Sequence, residues 1–280
     1  MLAYSDRYVI AILLGAGAVG VYSTNYSIAE KLLIVVQAPL IYAAHPQIMS
    51  TWEHGHHVRT QQMVRNATRW LVILGAPLVA LTLVRNEMIS AFLLGEAFVP
   101  GHIVIPIVAV SVLVYAASQY GHKSFELSND TGVIGATFLA AAICNLIAVI
   151  VLTSAFGYIG GAVATGLGYA AYAGATYVVS RRRGPFRWDI PWRTLVNGGL
   201  AAVPAALIWA ILMPERLSSI WTAAGIVTTA VVGLAAYALG LVVLGELPRD
   251  LSGSSLAAGL SAVFGRRAAP LVPPEGEQST

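Results

Sequence analysis

Four ionisable side chains occupy symmetric positions in the apolar N-terminal part of the chain. Asp6 stands beside Arg7, Glu30 stands beside Lys31, and apolar residues surround both pairs. The small-residue segment GAGAVGVYS between them predicts a tight turn that is centred near residue 19 and joins two antiparallel helices. Arg7 and Lys31 lie equally far from that centre, about 18 Å along a helix. We therefore expect the two acid–base pairs to face each other across a helical hairpin.

Two kinds of chemistry fit such a quartet inside a bilayer. An isolated charge near the centre of a membrane costs at least about 2.5–3.5 kcal/mol on insertion scales. In a structural role, Asp6 would neutralise Lys31 and Arg7 would neutralise Glu30. In a functional role, the four groups would line a wet cavity and bind an anionic headgroup, with Arg7 the better phosphate ligand because its planar fork is bidentate. Restoration of activity by swapping Arg7 and Glu30 would favour the structural role.

The composition places these residues in a membrane protein. Of the 280 residues, 57% are hydrophobic and 10% are charged, whereas soluble domains carry about 25% charged residues. A helix needs roughly 20 apolar residues to cross a bilayer. Eight segments meet this requirement and predict an all-α integral membrane protein with about eight transmembrane helices: 1–20, 24–48, 66–94, 102–122, 132–154, 158–180, 193–213 and 218–244.

The distribution of basic residues predicts the orientation of these spans. With eight spans, the loops after spans 2, 4 and 6 share one side of the membrane with the C-terminal tail, and the positive-inside rule makes that side cytoplasmic. This side holds Arg59, Arg65, Arg69, Lys123, Arg181, Arg182, Arg183, Arg187, Arg193, Arg249, Arg266 and Arg267. The other side holds only Arg85 and Arg216.

Two basic or polar segments are interpreted from this orientation. The run RRRGPFR at 181–187 directly follows an apolar span and favours a juxtamembrane anchor rather than a nucleic-acid patch. The tail from 249 to 280 is rich in Ser, Gly and Pro, which predicts a disordered cytoplasmic segment beyond a helical bundle of residues 1–248.

Residue patterns typical of enzymes and metal sites are missing from the sequence. The histidines of EHGHH at 53–57 have neither helical i,i+4 spacing nor a second cluster, which favours a loop over a metal site. Acidic residues predicted on the outer side, Glu87, Glu96 and Glu215, are scattered and form no catalytic pair. We therefore expect a protein that is not an enzyme and that has no metal or other cofactor.

Three stretches resemble a known family of transporters. SDRYVIAILLGAGAVGVYSTNYSIAEKL at 5–32 is similar to the start of the second half of bacterial polysaccharide (O-antigen-type) flippases of the MATE-like superfamily. LLGEAFVPGHIVIPIVAVSVLVYA at 93–116 and FGYIGGAVATGLGYAAYAGATYVVSRR at 156–182 resemble later segments of the same half. The resemblance extends over about residues 4–245 in order and spacing.

The resemblance implies a fold, a substrate and a location. Such flippases move undecaprenyl-pyrophosphate-linked oligosaccharide across the bacterial cytoplasmic membrane for surface polysaccharide synthesis. Two helical lobes surround a central cavity, and alternating access comes from one lobe rocking against the other. Arg7 and Lys31 become candidate pyrophosphate contacts beside Asp6 and Glu30, and the in-span positions of Asn25, Gln37 and Gln119 make them candidate polar groups of the cavity.

The expected eight spans correspond to a second lobe plus two additional helices, whereas the family has twelve to fourteen spans. The resemblance therefore implies an N-terminally truncated chain, or a chain completed by a separate first-half polypeptide. Polysaccharide assembly proteins are further expected partners. Lipid II flipping for peptidoglycan synthesis is the nearest alternative. A membrane-embedded glycan polymerase or glycosyltransferase would need a large outer loop with acidic or Arg and His groups, and a non-transporting assembly subunit is a third class.

Overall fold

A computed structural model gives the fold of the chain. It describes the backbone of residues 2–214 and 220–247, and side chains from residue 5 onward except for 215–222. Within these ranges the chain is all α-helical, apart from a short 3₁₀ helix and the connecting turns. This confirms the prediction of an all-α integral membrane protein. The predicted disordered tail at 249–280, with Arg216 and Glu215, lies outside the described residues.

Eight α-helices follow one another along the described chain. Their bounds are α1 Leu2–Leu14, α2 Ala16–Glu53, α3 His57–Leu94, α4 Val104–Gly121, α5 Lys123–Leu127, α6 Thr131–Arg183, α7 Trp192–Leu212 and α8 Ile220–Val243. The 3₁₀ helix, Glu96–Gly101, connects α3 to α4. Six helices of the described chain are long and apolar enough to cross a membrane: α2, α3, α4 together with α5, α6, α7 and α8.

Helix α6 accounts for two of the predicted spans. Its 53 residues would extend for about 80 Å if they were straight, but Gly157 breaks the helix with φ 64° and ψ −151°. The two arms then fold back on each other, because Asn145 of the first arm donates a 3.0 Å hydrogen bond to the carbonyl oxygen of Ala164 in the second. Gly168 lets the arms approach closely, since a Cβ there would lie 2.8 Å from the Cβ of Asn145.

Four predicted helix ends are wrong, and the first is the start of α2, which lies at Ala16 rather than near residue 24. Helix α1 ends at Leu14 rather than near residue 20, because Gly15 adopts φ 87°. Helices α2 and α3 each contain 38 residues and are about 57 Å long. Helix α2 continues beyond the predicted end at residue 48, and α3 begins before the predicted start at residue 66. The charged residues there mark the edge of the apolar segment, but they are good helix formers and do not stop the helix. Of the stretch EHGHH, only residues 54–56 form the short turn between α2 and α3, since Glu53 ends α2 and His57 begins α3.

The predicted third span contains a kink at the position where the sequence becomes polar. Arg85 has the non-helical angles φ −130° and ψ 24° inside α3, and the helix resumes and continues to Leu94. The guanidinium group of Arg85 donates hydrogen bonds to the carbonyl oxygens of Trp209, Ala210 and Met213 at 2.6–2.9 Å. A cation thereby caps the C-terminal end of α7, where the helix dipole is negative.

The helix ends that carry most of the basic residues meet at one end of the bundle, which we call the basic end. There Gln61 of α3 donates a 3.0 Å hydrogen bond to Asp189 in the segment before α7. Lys123 forms a 2.6 Å ion pair with Glu126 and contacts His45 of α2 at 2.7 Å. The opposite end contains the glycine turns at Gly15 and Gly157 and the 3₁₀ helix.

Candidate functional site

The hairpin of α1 and α2 turns at Gly15, four residues before the predicted centre. Gly15 has φ 87° and ψ 173°, a conformation that residues with a side chain rarely adopt. Measured from Gly15, Arg7 lies about 12 Å along α1 and Lys31 about 24 Å along α2, at 1.5 Å per residue. The two cations therefore lie at different depths in the bundle, and the predicted symmetry of the quartet is wrong.

Asp6 is buried inside the helical bundle and has partners other than the expected one. The hydroxyl group of Tyr22 donates a 2.5 Å hydrogen bond to Oδ2 of Asp6, and that of Thr165 in α6 donates one of 3.3 Å. The backbone N–H of Arg7 donates to Oδ1 at 2.8 Å. Among the described side chains, no ion pair joins Asp6 to Lys31 or Arg7 to Glu30. The pairings of the structural role are therefore not formed, because the turn at Gly15 changes the register of the hairpin.

Arg7 lies half-buried beside an aromatic group on α2. Its guanidinium carbon is 5.5 Å from the centre of the Tyr26 ring, which is cation–π distance. The Tyr26 hydroxyl oxygen is 3.3 Å from that of Tyr169 in α6, and the Tyr169 ring stacks on Tyr115 of α4 at 4.6 Å. Asp6 and Arg7 thus belong to a polar and aromatic layer in which α1, α2, α4 and α6 meet.

Lys31 lies on an exposed and otherwise apolar face of α2. The side chains at 34, 35 and 42 are also exposed, and their spacing of three, four and eleven residues from Lys31 places them on the same face. Ile34 is 50%, Val35 71% and Tyr42 79% exposed. The described part of the chain therefore presents one cation of the predicted quartet on the outside of the bundle, among apolar side chains. Glu30, next to it, is half-buried.

The three predicted polar groups are not gathered in one place. Asn25 is buried, and its amide nitrogen donates to the carbonyl oxygens of Val21 at 2.8 Å and Phe98 at 2.9 Å, which ties α2 to the 3₁₀ helix. Gln37 is half-buried on α2. Gln119 is half-buried on α4, where it borders a small cavity of about 40 Å³ near the basic end.

Sequence reasoning missed a polar cluster around Glu246, directly after α8. Arg69 donates a 3.1 Å hydrogen bond from Nε to the Glu246 carboxylate, which also accepts hydrogen bonds of 2.8 Å from Thr194 and 2.9 Å from Asn197. Arg193 lies 3.7 Å from the other carboxylate oxygen. The cluster joins α3, α7 and the end of α8. Its one signal in the sequence is an acidic residue directly after the last apolar segment.

The electrostatics of this cluster favour the ionised carboxylate. Burial raises the pKa of Glu246, but the hydrogen bonds from Thr194 and Asn197 and the charge of Arg69 outweigh it, so that the pKa lies below its ordinary value. The carboxylate side chain is 4% exposed, whereas those of Arg69 and Arg193 are 37% and 77% exposed. Glu246 therefore holds two arginines at the surface of the basic end while remaining covered itself.

Comparison with known proteins gives one informative likeness. No protein-family model matches the chain. Over 168 residues, which are 60% of the chain, it is 23% identical to a protein of Haloferax volcanii named "Probable low-salt glycan biosynthesis flippase". The match covers 35% of that protein, so the chain spans well under half the length of this relative. With its apolar helices, the chain is a multi-pass membrane protein that is distantly similar to a glycan biosynthesis flippase.

Proposed function

We propose that the chain forms one lobe of a flippase that translocates a lipid-linked glycan from one leaflet of a membrane to the other. The observation that carries this proposal is the distant similarity to a glycan biosynthesis flippase. The helical bundle supports it, because an all-α fold that crosses the bilayer several times is what such a transporter requires. The proposed activity is translocation and not an enzymatic reaction.

The finer part of the proposal follows from the resemblance of the sequence. The substrate is undecaprenyl-pyrophosphate-linked oligosaccharide, and the membrane is the bacterial cytoplasmic membrane, with the basic end and the C-terminus in the cytoplasm. The chain corresponds to the second lobe of a MATE-like fold, and it works with a first lobe that is supplied by a separate chain or by a longer form of this one. The product of transport serves surface polysaccharide synthesis.

Lys31 is the side chain best placed to contact a headgroup from within the membrane. It projects from an apolar face of α2 that no other described helix covers, and an amine there is stable only beside water or an anion. Packing of a first lobe against this face would leave Lys31 at the boundary of the two lobes, where transporters of this type bind substrate. Arg7 is a second candidate contact from the neighbouring helix.

The test uses cells in which the gene is deleted and then restored as wild type or variant. The readout is the fraction of lipid-linked oligosaccharide that an impermeant reagent can label from outside the membrane. We expect Lys31→Met to lower this fraction roughly tenfold, because the neutral side chain cannot pair with phosphate, and Lys31→Arg to restore most of it. Ile34→Ala, on the same exposed face, serves as the matched control and should behave as wild type.

Two results would contradict different parts of the proposal. An unchanged outer fraction after deletion of the gene would exclude the flippase function. Normal labelling in Lys31→Met cells, with normal amounts of the protein in the membrane, would exclude the role of Lys31 and leave the function itself standing.

A further inference from the structure

The basic end contains a cleft that the translocation proposal does not use. It lies between the start of α3, the start of α7 and the segment after α8, and has a volume of about 440 Å³. Three arginines border it, Arg65 and Arg69 from α3 and Arg193 from α7. Gln62, Asn66 and Trp192 are among its other lining residues.

The charges around this cleft do not balance. Among the described residues that line the cleft, three arginines face one carboxylate, that of Glu246, which leaves an excess of two positive charges in this set. Within the described part of the chain, Arg65 makes no hydrogen bond and no ion pair, and its side chain is exposed. Arg193 makes two long contacts, 3.7 Å from its Nε to the carboxylate and 3.5 Å to the carbonyl oxygen of Leu244, and its side chain is 77% exposed. Both guanidinium groups therefore have donors available to an anion.

The negative charge of the carboxylate in the cleft is offset by the positive charges of Arg69 and Arg193 beside it. Thr194 and Arg69 donate to one oxygen, while Asn197 donates to the other, beside Arg193. The side chain is 4% exposed, so it presents almost no surface to the cleft. Glu246 thus positions Arg69 and Arg193, and the guanidinium groups form the accessible surface.

The position of the cleft along the helices corresponds to the headgroup layer of a bilayer. The apolar segments 66–94 and 193–213 both begin at this level, directly beside Arg65 and Arg193. Trp192 is 61% exposed here, and exposed tryptophans concentrate at the boundary between lipid and water. Basic pockets between transmembrane helices at this depth bind phosphate-bearing lipid headgroups.

We infer that this cleft binds the phosphate headgroup of a membrane lipid. Arg65 and Arg193 supply the planar, bidentate donors that suit phosphate oxygens, and Trp192 packs against the adjoining glycerol or prenyl part. The phosphate comes either from an anionic bilayer phospholipid or from a prenyl pyrophosphate, which carry the same recognisable group. The inference does not depend on the proposed flippase function, since binding is measured without transport.

The test measures lipid binding to the full chain, purified in a neutral detergent, by native mass spectrometry. The probes are phosphatidylglycerol, farnesyl pyrophosphate and inorganic pyrophosphate. We expect the double substitution Arg65→Gln with Arg193→Gln to weaken binding of at least one of the two lipids roughly tenfold. The control is Arg182→Gln with Arg183→Gln, which removes the same charge from exposed positions at the basic end but outside the cleft.

The pattern of binding across the probes identifies the source of the phosphate. A loss specific to phosphatidylglycerol assigns the cleft to a bilayer phospholipid, and a loss specific to farnesyl pyrophosphate assigns it to a prenyl-linked headgroup. Equal weakening in both double variants would overturn the inference, because the attraction would then be a general effect of charge. Binding of inorganic pyrophosphate but of neither lipid would overturn it as well. Unchanged thermal unfolding of the variants excludes misfolding as the cause of a loss.

Discussion

The hydroxyl group of Tyr22 donates a 2.5 Å hydrogen bond to the carboxylate of Asp6 and thereby joins α1 to α2 inside the bundle. Thr165 adds a second hydrogen bond from α6. A buried carboxylate without such partners would be strongly destabilising in an apolar environment. These hydrogen bonds therefore offset the free-energy cost of burying Asp6. They also fix how α1 packs between α2 and α6.

The first prediction concerns this hydrogen bond. Tyr22→Phe removes the donor and leaves one oxygen of Asp6 with the longer bond from Thr165 alone. We expect the free energy of unfolding in detergent to fall by about 1–3 kcal/mol, the usual cost of an unsatisfied buried polar group. The measurement is denaturant unfolding followed by circular dichroism. Tyr42→Phe is the matched control, because Tyr42 is 79% exposed, and equal stability of the two variants would show that the bond contributes nothing.

The second prediction concerns the pH dependence that Glu246 imparts. Its folded-state pKa lies below the ordinary value because the hydrogen bonds from Thr194 and Asn197 and the charge of Arg69 outweigh the effect of burial. The stabilisation is therefore complete above the unfolded-state pKa and is lost as the pH falls through the folded-state pKa. We expect the wild type to lose stability on acidification below that ordinary carboxyl value of 4.5, and Glu246→Gln to be less stable at neutral pH.

The control for this second prediction is Glu53→Gln, an exposed position at the end of α2. The Glu53 variant should lose stability on acidification as the wild type does, while the Glu246→Gln variant should show a flatter profile over the same range. Parallel profiles for all three proteins, measured as midpoints of thermal unfolding, would contradict the assigned role of Glu246.

The third prediction concerns the cap that α3 provides for α7. Arg85→Met removes all three hydrogen bonds to the carbonyl oxygens of Trp209, Ala210 and Met213. A cation at a partly buried helix C-terminus contributes up to about 2 kcal/mol, so the last turn of α7 should exchange its amide hydrogens faster. Hydrogen-exchange mass spectrometry of the peptide around 205–213 measures this change.

Two control variants test whether the effect of Arg85→Met comes from the loss of the cap on α7. Arg85→Lys retains the charge but loses the planar fork, and it should give an intermediate exchange rate. Arg187→Met removes an exposed arginine from the other end of the bundle and should leave the peptide unchanged. Exchange in Arg85→Met that matches the wild type would refute the capping role.

The fourth prediction concerns the break in α6. Gly157 has φ 64° and ψ −151°, a region that is essentially restricted to glycine. Gly157→Ala should therefore cost about 1–3 kcal/mol in stability. Gly135→Ala is the control, because Gly135 lies in the same helix, has ordinary helical angles, and has open space where a Cβ would stand. A loss of stability at 135 as large as that at 157 would contradict this account, and thermal unfolding of the two variants decides it.

The membrane class and most of the apolar segments could be predicted from the sequence. Lipid offers no hydrogen-bond partner to backbone N–H and C=O groups, so a long apolar segment in a membrane forms a helix that satisfies these groups internally. The segments 132–154 and 158–180 are an example, since they match the two arms of α6 on either side of Gly157. The helix ends were harder to predict, because charged residues such as Arg59 and Arg65 end an apolar segment without ending a helix.

The contacts of the quartet could not be predicted from the sequence. The segment GAGAVG allows a turn at any of its glycines. The structure shows that the turn lies at Gly15, which has a positive φ of 87°. Moving the turn by four residues changes every cross-hairpin neighbour, so Asp6 meets Tyr22 instead of Lys31. Its other partner, Thr165, is 159 positions away in the sequence and comes within reach only through tertiary packing.

The two arms of α6 are joined through one residue, Gly157, so the distance between their adjoining ends cannot change. Neither arm can slide by several ångströms along the other without pulling it, and Asn145 further couples them through its hydrogen bond to Ala164. We therefore expect the two arms to move together, as one unit, in a rearrangement of the bundle.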